Sequence, residues 1–80
     1  MITLTIYGRR SCHLCESMKA ELELFRARFP FTVTGIDVDS DPALERDFGE
    51  RVPVLMHGQK YLCHFHFDGG VVAAYLAEIS

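Results

Sequence analysis

The sequence predicts one α/β domain with its elements in the order β-α-β-α-β-β-α. Three observations carry that prediction. Ile2-Thr3-Leu4-Thr5-Ile6-Tyr7 alternates like a strand. Cys15, Met18, Leu22, Phe25 and Phe29 then recur at helical spacing, and a second strand-like run, Phe31 to Val38, follows them. Val54-Leu55-Met56 and the alternating run Tyr61 to Phe67 flank a tight connection at Gly58, the pattern of a hairpin.

The bulk properties bound the problem. A chain of 80 residues has room for one domain, residues 1–80. Hydrophobic residues make up 49% and charged residues 24%, an ordinary globular balance. No apolar run approaches the roughly 20 residues that span a bilayer, and no basic segment leads into an uninterrupted apolar stretch, so neither a membrane span nor a signal peptide is expected. The formal charge of −3 and the lack of a basic stripe argue against nucleic acid as a partner. Three cysteines are too few, and odd in number, for a secreted scaffold held by disulfides. A reducing cytoplasm, one reactive pair and one spare thiol fit better.

The elements follow in order. Ile2 to Tyr7 is the first strand, and burial of both faces would make it central. Gly8-Arg9-Arg10-Ser11 is a loop, with Ser11 suited to cap the next helix. That helix is expected from about Cys12 to Phe29 and ends at Pro30. Lys19 and Glu23 form an i,i+4 pair on it, and Arg26 and Arg28 suit its C-terminal end. The second strand runs from Phe31 to Val38, with Gly35 as a bulge or close packing point. The helix between two strands makes them parallel, with a right-handed crossover. Asp41 then caps a short helix, Pro42 to Phe48, which Gly49 terminates. Pro53 precedes the third strand. After the hairpin, Asp68-Gly69-Gly70 turns into a last helix whose apolar face is Val71, Val72, Tyr75, Leu76 and Ile79. No repeat, linker or low-complexity segment interrupts the chain.

The chemistry-bearing stretch is Cys12-His13-Leu14-Cys15. Two cysteines two residues apart, where a strand passes into a helix, suit thiol–disulfide exchange. The helix N-terminus carries partial positive charge and free N–H donors, which stabilise a thiolate. Cys12 at the open end is the expected attacking thiol. Cys15, one turn on and in line with the buried stripe, is the expected resolving thiol. The alternative is two structural thiols in a helix. His13 favours the Cys12 thiolate when protonated, or it is a solvent-facing residue of little effect. Leu14 falls off the stripe, as an exposed contact for a partner protein or as peripheral core.

With these residues in place, the chain resembles the glutaredoxin branch of the thioredoxin fold over essentially its whole length, most closely the small bacterial glutaredoxin-like proteins. The carriers are the strand before Cys12-His13-Leu14-Cys15, the pair Val52-Pro53 before the third strand, and Gly69-Gly70 before the last helix. The resemblance implies a four-stranded mixed sheet in the order 2-1-3-4 with helices on both faces. It implies a cis bond before Pro53, which lies against the cysteines, and a Val52 backbone that pairs with the substrate chain. It places Arg9, Arg51, Gly69 and Gly70 at a glutathione site, Arg9 matching a basic residue three positions before the first cysteine. Two departures stand out: Arg51 replaces the usual Thr, and Ala73 replaces the acidic residue that would hold the γ-glutamyl amine. In this fold Arg9, Arg10 and Arg51 gather near the pair as a local positive patch or as ordinary solvated arginines.

The resulting expectation is a cytoplasmic, monomeric dithiol–disulfide oxidoreductase with no bound organic cofactor. Its partners are a disulfide-containing protein or a glutathione mixed disulfide, with glutathione as a candidate co-substrate, and a reductant of glutathione or thioredoxin type. A metal or iron–sulfur carrier using Cys12 and a non-catalytic interaction module are the rival readings. Cys63, His64, His66 and nearby His57 invite a zinc reading, but the implied sheet separates the fourth strand from the first by roughly 9–10 Å. The expected arrangement instead packs Tyr61, Cys63, Phe65 and Phe67 on one face, with His64 and His66 on the other.

Overall fold

The computed structural model describes all residues, Met1–Ser80. Four strands, β1 (Ile2–Gly8), β2 (Phe31–Asp37), β3 (Val54–His57) and β4 (Lys60–His64), form one sheet in the order β2-β1-β3-β4. β1 pairs in parallel with β2, and β3 is antiparallel to both β1 and β4. Three helices complete the domain: α1 (His13–Phe25), α2 (Pro42–Phe48) and α3 (Gly69–Ile79). This is the thioredoxin-like α/β arrangement, with the expected element order and sheet order. No helix is long and apolar enough to cross a membrane.

The sheet divides its side chains as the pleat requires. Leu4 and Ile6 of β1 are fully buried in a core that also takes Met18 and Leu22 of α1, Leu55 of β3, and Val72 and Leu76 of α3. Tyr7 faces the other way and stacks on Phe48 of α2, with ring centroids 4.2 Å apart. Helices therefore cover both faces, α1 and α3 on one and α2 on the other.

Several boundaries differ from the sequence expectation, each for a local reason. Ser11 does not cap α1, because its φ of +55° is left-handed. Cys12 is extended (φ −104°, ψ 107°) and caps the helix instead. At the other end α1 stops at Phe25. There Ala27 and Arg28 bond back three residues, to the carbonyls of Leu24 and Phe25, and the final turn tightens. Lys19 pairs with Glu16 and Glu23 with Arg26, both at i,i+3, in place of the expected Lys19–Glu23 pair. Arg28 lies over the rings of Phe25 and Phe29. β2 ends at Asp37, whose carboxylate accepts from the Asp39 amide (2.8 Å) and turns Val38–Ser40 into a 3₁₀ turn. Gly35 is no bulge: it sits in regular register opposite Ile6, with open space where a side chain would go. Asp41 does cap α2, accepting from Ala43 at 2.8 Å.

The largest departure is in β4. Leu55 pairs with Cys63 and Met56 with Tyr61, which leaves Leu62 as an extra residue in a β-bulge. The bulge reverses the alternation. Leu62 and Cys63, though adjacent, are both buried in the core, while Tyr61 and His64 lie together outside, joined by a hydrogen bond between the Tyr61 hydroxyl and His64 Nδ1. The expected face of Tyr61, Cys63, Phe65 and Phe67 does not form. β4 also ends at His64, since Phe65 has a left-handed φ of +62°. On α3, only Val72 and Leu76 of the expected stripe are buried, and Val71 and Ile79 are exposed.

The packing separates two leucines of α1, one on the expected apolar stripe and one off it. Leu22 is buried among the core side chains, whereas Leu24 is 73% exposed. Leu22→Ala is expected to lower stability by about 2–5 kcal/mol through the cavity it leaves. Leu24→Ala should stay within about 0.5 kcal/mol. Urea unfolding of both variants measures the difference, and equal losses would reject the assignment of the buried face.

Candidate redox-active site

One end of the sheet collects the residues that can do chemistry. β1 ends there at Gly8, β3 begins there at Val54, and β4 ends there at His64. α1 and α3 both begin there. Tyr7 pairs with Val54, so one step further Gly8 faces Pro53 across the sheet. The Val52–Pro53 bond is cis, in agreement with the expectation. Pro53 is buried, and its carbonyl accepts from the Phe65 amide at 2.9 Å. Val52 has no backbone hydrogen-bond partner for either its N–H or its C=O. A free pair of this kind can accept a strand-like segment of another chain.

Cys12 and Cys15 form a disulfide, with Cα atoms 5.2 Å apart. Cys12 is partly exposed at the N-cap, and Cys15 is 1% exposed. The Cys15 amide donates to Cys12 Sγ at 3.1 Å. In the reduced state the same donor and the helix dipole favour a thiolate on Cys12. His13 is exposed and Leu14 half-buried, both in the first turn of α1. Beside Cys15 a cleft of about 330 Å³ opens between α1, β1 and β2, lined by Gly8, Arg10 and Glu16 among others.

Gly8, read as a loop residue from sequence, is part of this site. A Cβ there would stand 3.0 Å from Cys15 Sγ. The glycine is what lets the buried sulfur rest on the strand. A glycine closing a strand four residues before a reactive cysteine is the signal that could have found it.

The three arginines do not form a free positive patch. Arg9 turns inward, where its Nη2 donates to the Glu45 carboxylate and, at 3.2 Å, to the Gly49 carbonyl, with Asp39 3.9 Å away. It ties the cysteine loop to α2 and to the 3₁₀ turn Gly49–Arg51 that leads into Val52. Arg51 donates to the Asp47 carbonyl at 2.6 Å, and Arg10 makes no ion pair. At α3, Gly69 and Gly70 occupy the first turn, and Asp68 caps it by accepting from the Val71 amide at 3.1 Å. A carboxylate of the chain itself therefore already serves the first turn of α3, through the Val71 amide. A Cβ on Gly69 would meet the Phe25 ring at 3.4 Å, an ordinary van der Waals contact.

The zinc residues are spread apart. Cys63 is buried, His64 meets Tyr61, and His57 meets Tyr75. No three His, Cys, Asp or Glu side chains converge at metal-binding spacing. Burial pushes the Cys63 thiol above its ordinary range. The Asp68 and Glu21 carboxylates push the same way, against a backbone hydrogen bond at Asp68.

Residues 3–77 match the model of the glutaredoxin-like domain (DUF836). The chain belongs to that family. The solution structure of protein Ne2328 from Nitrosomonas europaea is 40% identical, with a TM-score of 0.86 over 94% of this chain and 91% of that one. The solution structure of protein XcR50 from X. campestris is 34% identical, with a TM-score of 0.75 over 100% and 97%. Its X-ray structure is 32% identical, with a TM-score of 0.69 over 96% and 99%. None of the curated proteins matches the chain. As a member of the glutaredoxin-like family with a C-x-x-C pair, the protein fits a redox role.

Two measurements probe this geometry. Gly8→Ala is expected to destabilise the oxidised protein by about 1–3 kcal/mol through crowding of Cys15. In a Cys15→Ala background most of that loss should vanish, and a double-mutant cycle by urea unfolding that shows no coupling would refute the contact. For Cys63, the folded thiol ionises less readily than the unfolded one. Its contribution to stability is thus complete below the ordinary thiol range, about pH 8.5, and is lost as pH rises through it toward the folded value. Urea midpoints between about pH 7 and about pH 10 should fall more steeply for the native protein than for Cys63→Ala.

Proposed function

We propose that the protein is a dithiol–disulfide oxidoreductase of the cytoplasm, acting as a monomer on disulfides of other molecules. The observation that carries this reading is the unequal exposure of two cysteines joined at one helix start. The Cys12 thiolate attacks one sulfur of a substrate disulfide. A Cys12 mixed disulfide forms and one substrate thiolate leaves. The Cys15 thiolate then attacks Cys12 Sγ, closing the internal disulfide and releasing the second substrate thiol. Two electrons pass from the pair to the substrate. Glutathione or a thioredoxin-type reductase returns them, and no bound organic cofactor takes part.

The surroundings support each step. The helix N-terminus favours negative charge on the sulfur at Cys12, and the shielding of Cys15 confines it to the second step. Val52, with its free N–H and C=O beside Pro53, can hold the substrate chain in extended form. His13 and Leu14 in the first turn of α1, Arg51 just before Val52, and Gly69 and Gly70 in the first turn of α3 are the candidate substrate contacts.

A redox titration against glutathione buffers, read by alkylation and mass spectrometry, tests the reading. The expected result is reversible loss of two labels, on Cys12 and Cys15, with Cys63 labelled only after unfolding. Cys12→Ser should abolish the paired loss. A glutathione adduct on Cys12 at intermediate potentials would identify glutathione as co-substrate. Persistent labelling of both cysteines across the range would reject oxidoreductase chemistry in favour of a metal carrier or a non-catalytic module.

A further inference from the structure

We propose that Phe65 is a specificity-determining residue, and that the preferred substrate is a protein disulfide whose cysteine has an apolar or aromatic neighbour. The proposal rests on the disulfide-exchange reading above and names its substrate class.

Phe65 combines features that ordinary packing does not explain. Its φ is +62°, a region that a bulky side chain rarely occupies. It is the central residue of a γ-turn, in which the His66 amide donates to the His64 carbonyl at 2.7 Å. The strained residue is held by a second bond, from its own amide to the Pro53 carbonyl at 2.9 Å. The side chain so positioned is not buried: it is 40% exposed. Strain that presents an apolar ring to solvent gains little for the core, and such strain is characteristic of ligand-contacting sites.

The location gives the ring its role. Phe65 is bonded to Pro53, the residue next to the unpaired Val52 backbone. That bond ties the Phe65 backbone to the residue next to the one on which a substrate segment would pair. The ring continues into an exposed aromatic row. Its centroid is 4.7 Å from that of His64, which in turn is 5.7 Å from Tyr61. The bulge at Leu62 creates this row, because without it Tyr61 and His64 would face opposite sides. The occupant is thus an extended chain with its backbone on Val52 and an apolar side chain on Phe65. A small anionic thiol compound suits the site less well. The charge of Arg9 is already met by Glu45, and Asp68 adds a carboxylate at the neighbouring helix start.

The test uses the reduced full-length protein and three disulfides. Two are disulfide-linked dimers of one short peptide, with the cysteine flanked by Phe in the first and by Ser in the second. The third is glutathione disulfide. In each case the protein dithiol becomes the Cys12–Cys15 disulfide and the added disulfide yields two thiols. Second-order rate constants come from acid quenching, alkylation and mass spectrometry. The Phe-flanked peptide is expected to react about tenfold faster than the Ser-flanked one, the lower range for one apolar contact. It should also outpace glutathione disulfide. Phe65→Gly, which relaxes the backbone, should bring the peptide ratio to about two or below, and Phe65→Tyr should preserve it. Equal peptide rates in the native protein, a ratio unchanged by Phe65→Gly, or faster reaction with glutathione disulfide would each overturn the proposal while leaving disulfide exchange intact. Failure of all three disulfides to oxidise the pair would overturn disulfide exchange itself.

Discussion

Cys15 packs close against the end of β1, where Gly8 has no side chain. The sulfur rests against the strand at a distance that would bring a Cβ to 3.0 Å. From that contact the rest of the site follows. It brings the first turn of α1 down onto the end of β1. That puts the N-terminus of the helix, and with it Cys12, at the sheet end where Pro53 lies opposite Gly8. The shielded thiol, the exposed thiol and the free Val52 backbone thus come together through one close approach between a helix and a strand. The redox pair is part of the packing of α1 as well as its chemistry.

Charge in this site is used to hold it together. Arg9 leaves the cysteine loop and reaches Glu45 and the Gly49 carbonyl, joining the two segments that flank the site, one ending in Cys12 and the other in Val52-Pro53. An exposed ion pair contributes little to stability, about 0–1 kcal/mol. The added carbonyl contact and the partly buried guanidinium make this one a positional link between loops that have no strand pairing of their own. With Arg9 engaged in this way, the helix N-terminus supplies positive potential at Cys12.

The regular features of the fold are legible in the amino-acid sequence because they depend on local periodicity: β1, the stripe of α1, the Asp41-Pro42 start of α2, and the C-x-x-C pair at a strand-to-helix junction. The cis bond and the sheet order follow from family resemblance and not from the residues alone. What escapes a sequence reading depends on contacts distant along the chain or on a single unpaired residue. Arg9 looks like a free cation until Glu45, 36 positions on, is brought beside it. The alternation of Tyr61 to Phe67 looks regular, and nothing local marks Leu62 as the residue left out of register. A one-residue slip in pairing moves every later side chain to the other face, which is why that single omission misplaces Cys63, His64 and Phe65 together.

That slip also contributes to the different surroundings of the three thiols in this small domain. Cys12 is partly exposed where the N–H groups of α1 point at it, and it accepts a bond from Cys15 at 3.1 Å. Cys15 has the same helix but no solvent access, so its reach is limited to the sulfur three residues away. Cys63 would have faced outward or inward according to strand parity alone. The bulge turns it inward beside Leu62, where burial holds it protonated near neutral pH and out of exchange. On the outer face the same irregularity leaves Tyr61, His64 and Phe65 in a row whose last member bonds through its amide to Pro53. One unpaired residue in an edge strand therefore both buries the spare thiol and builds the outer aromatic row. Those two effects are inseparable: any change that restores regular pairing in β4 would expose Cys63 and dismantle the aromatic row at once.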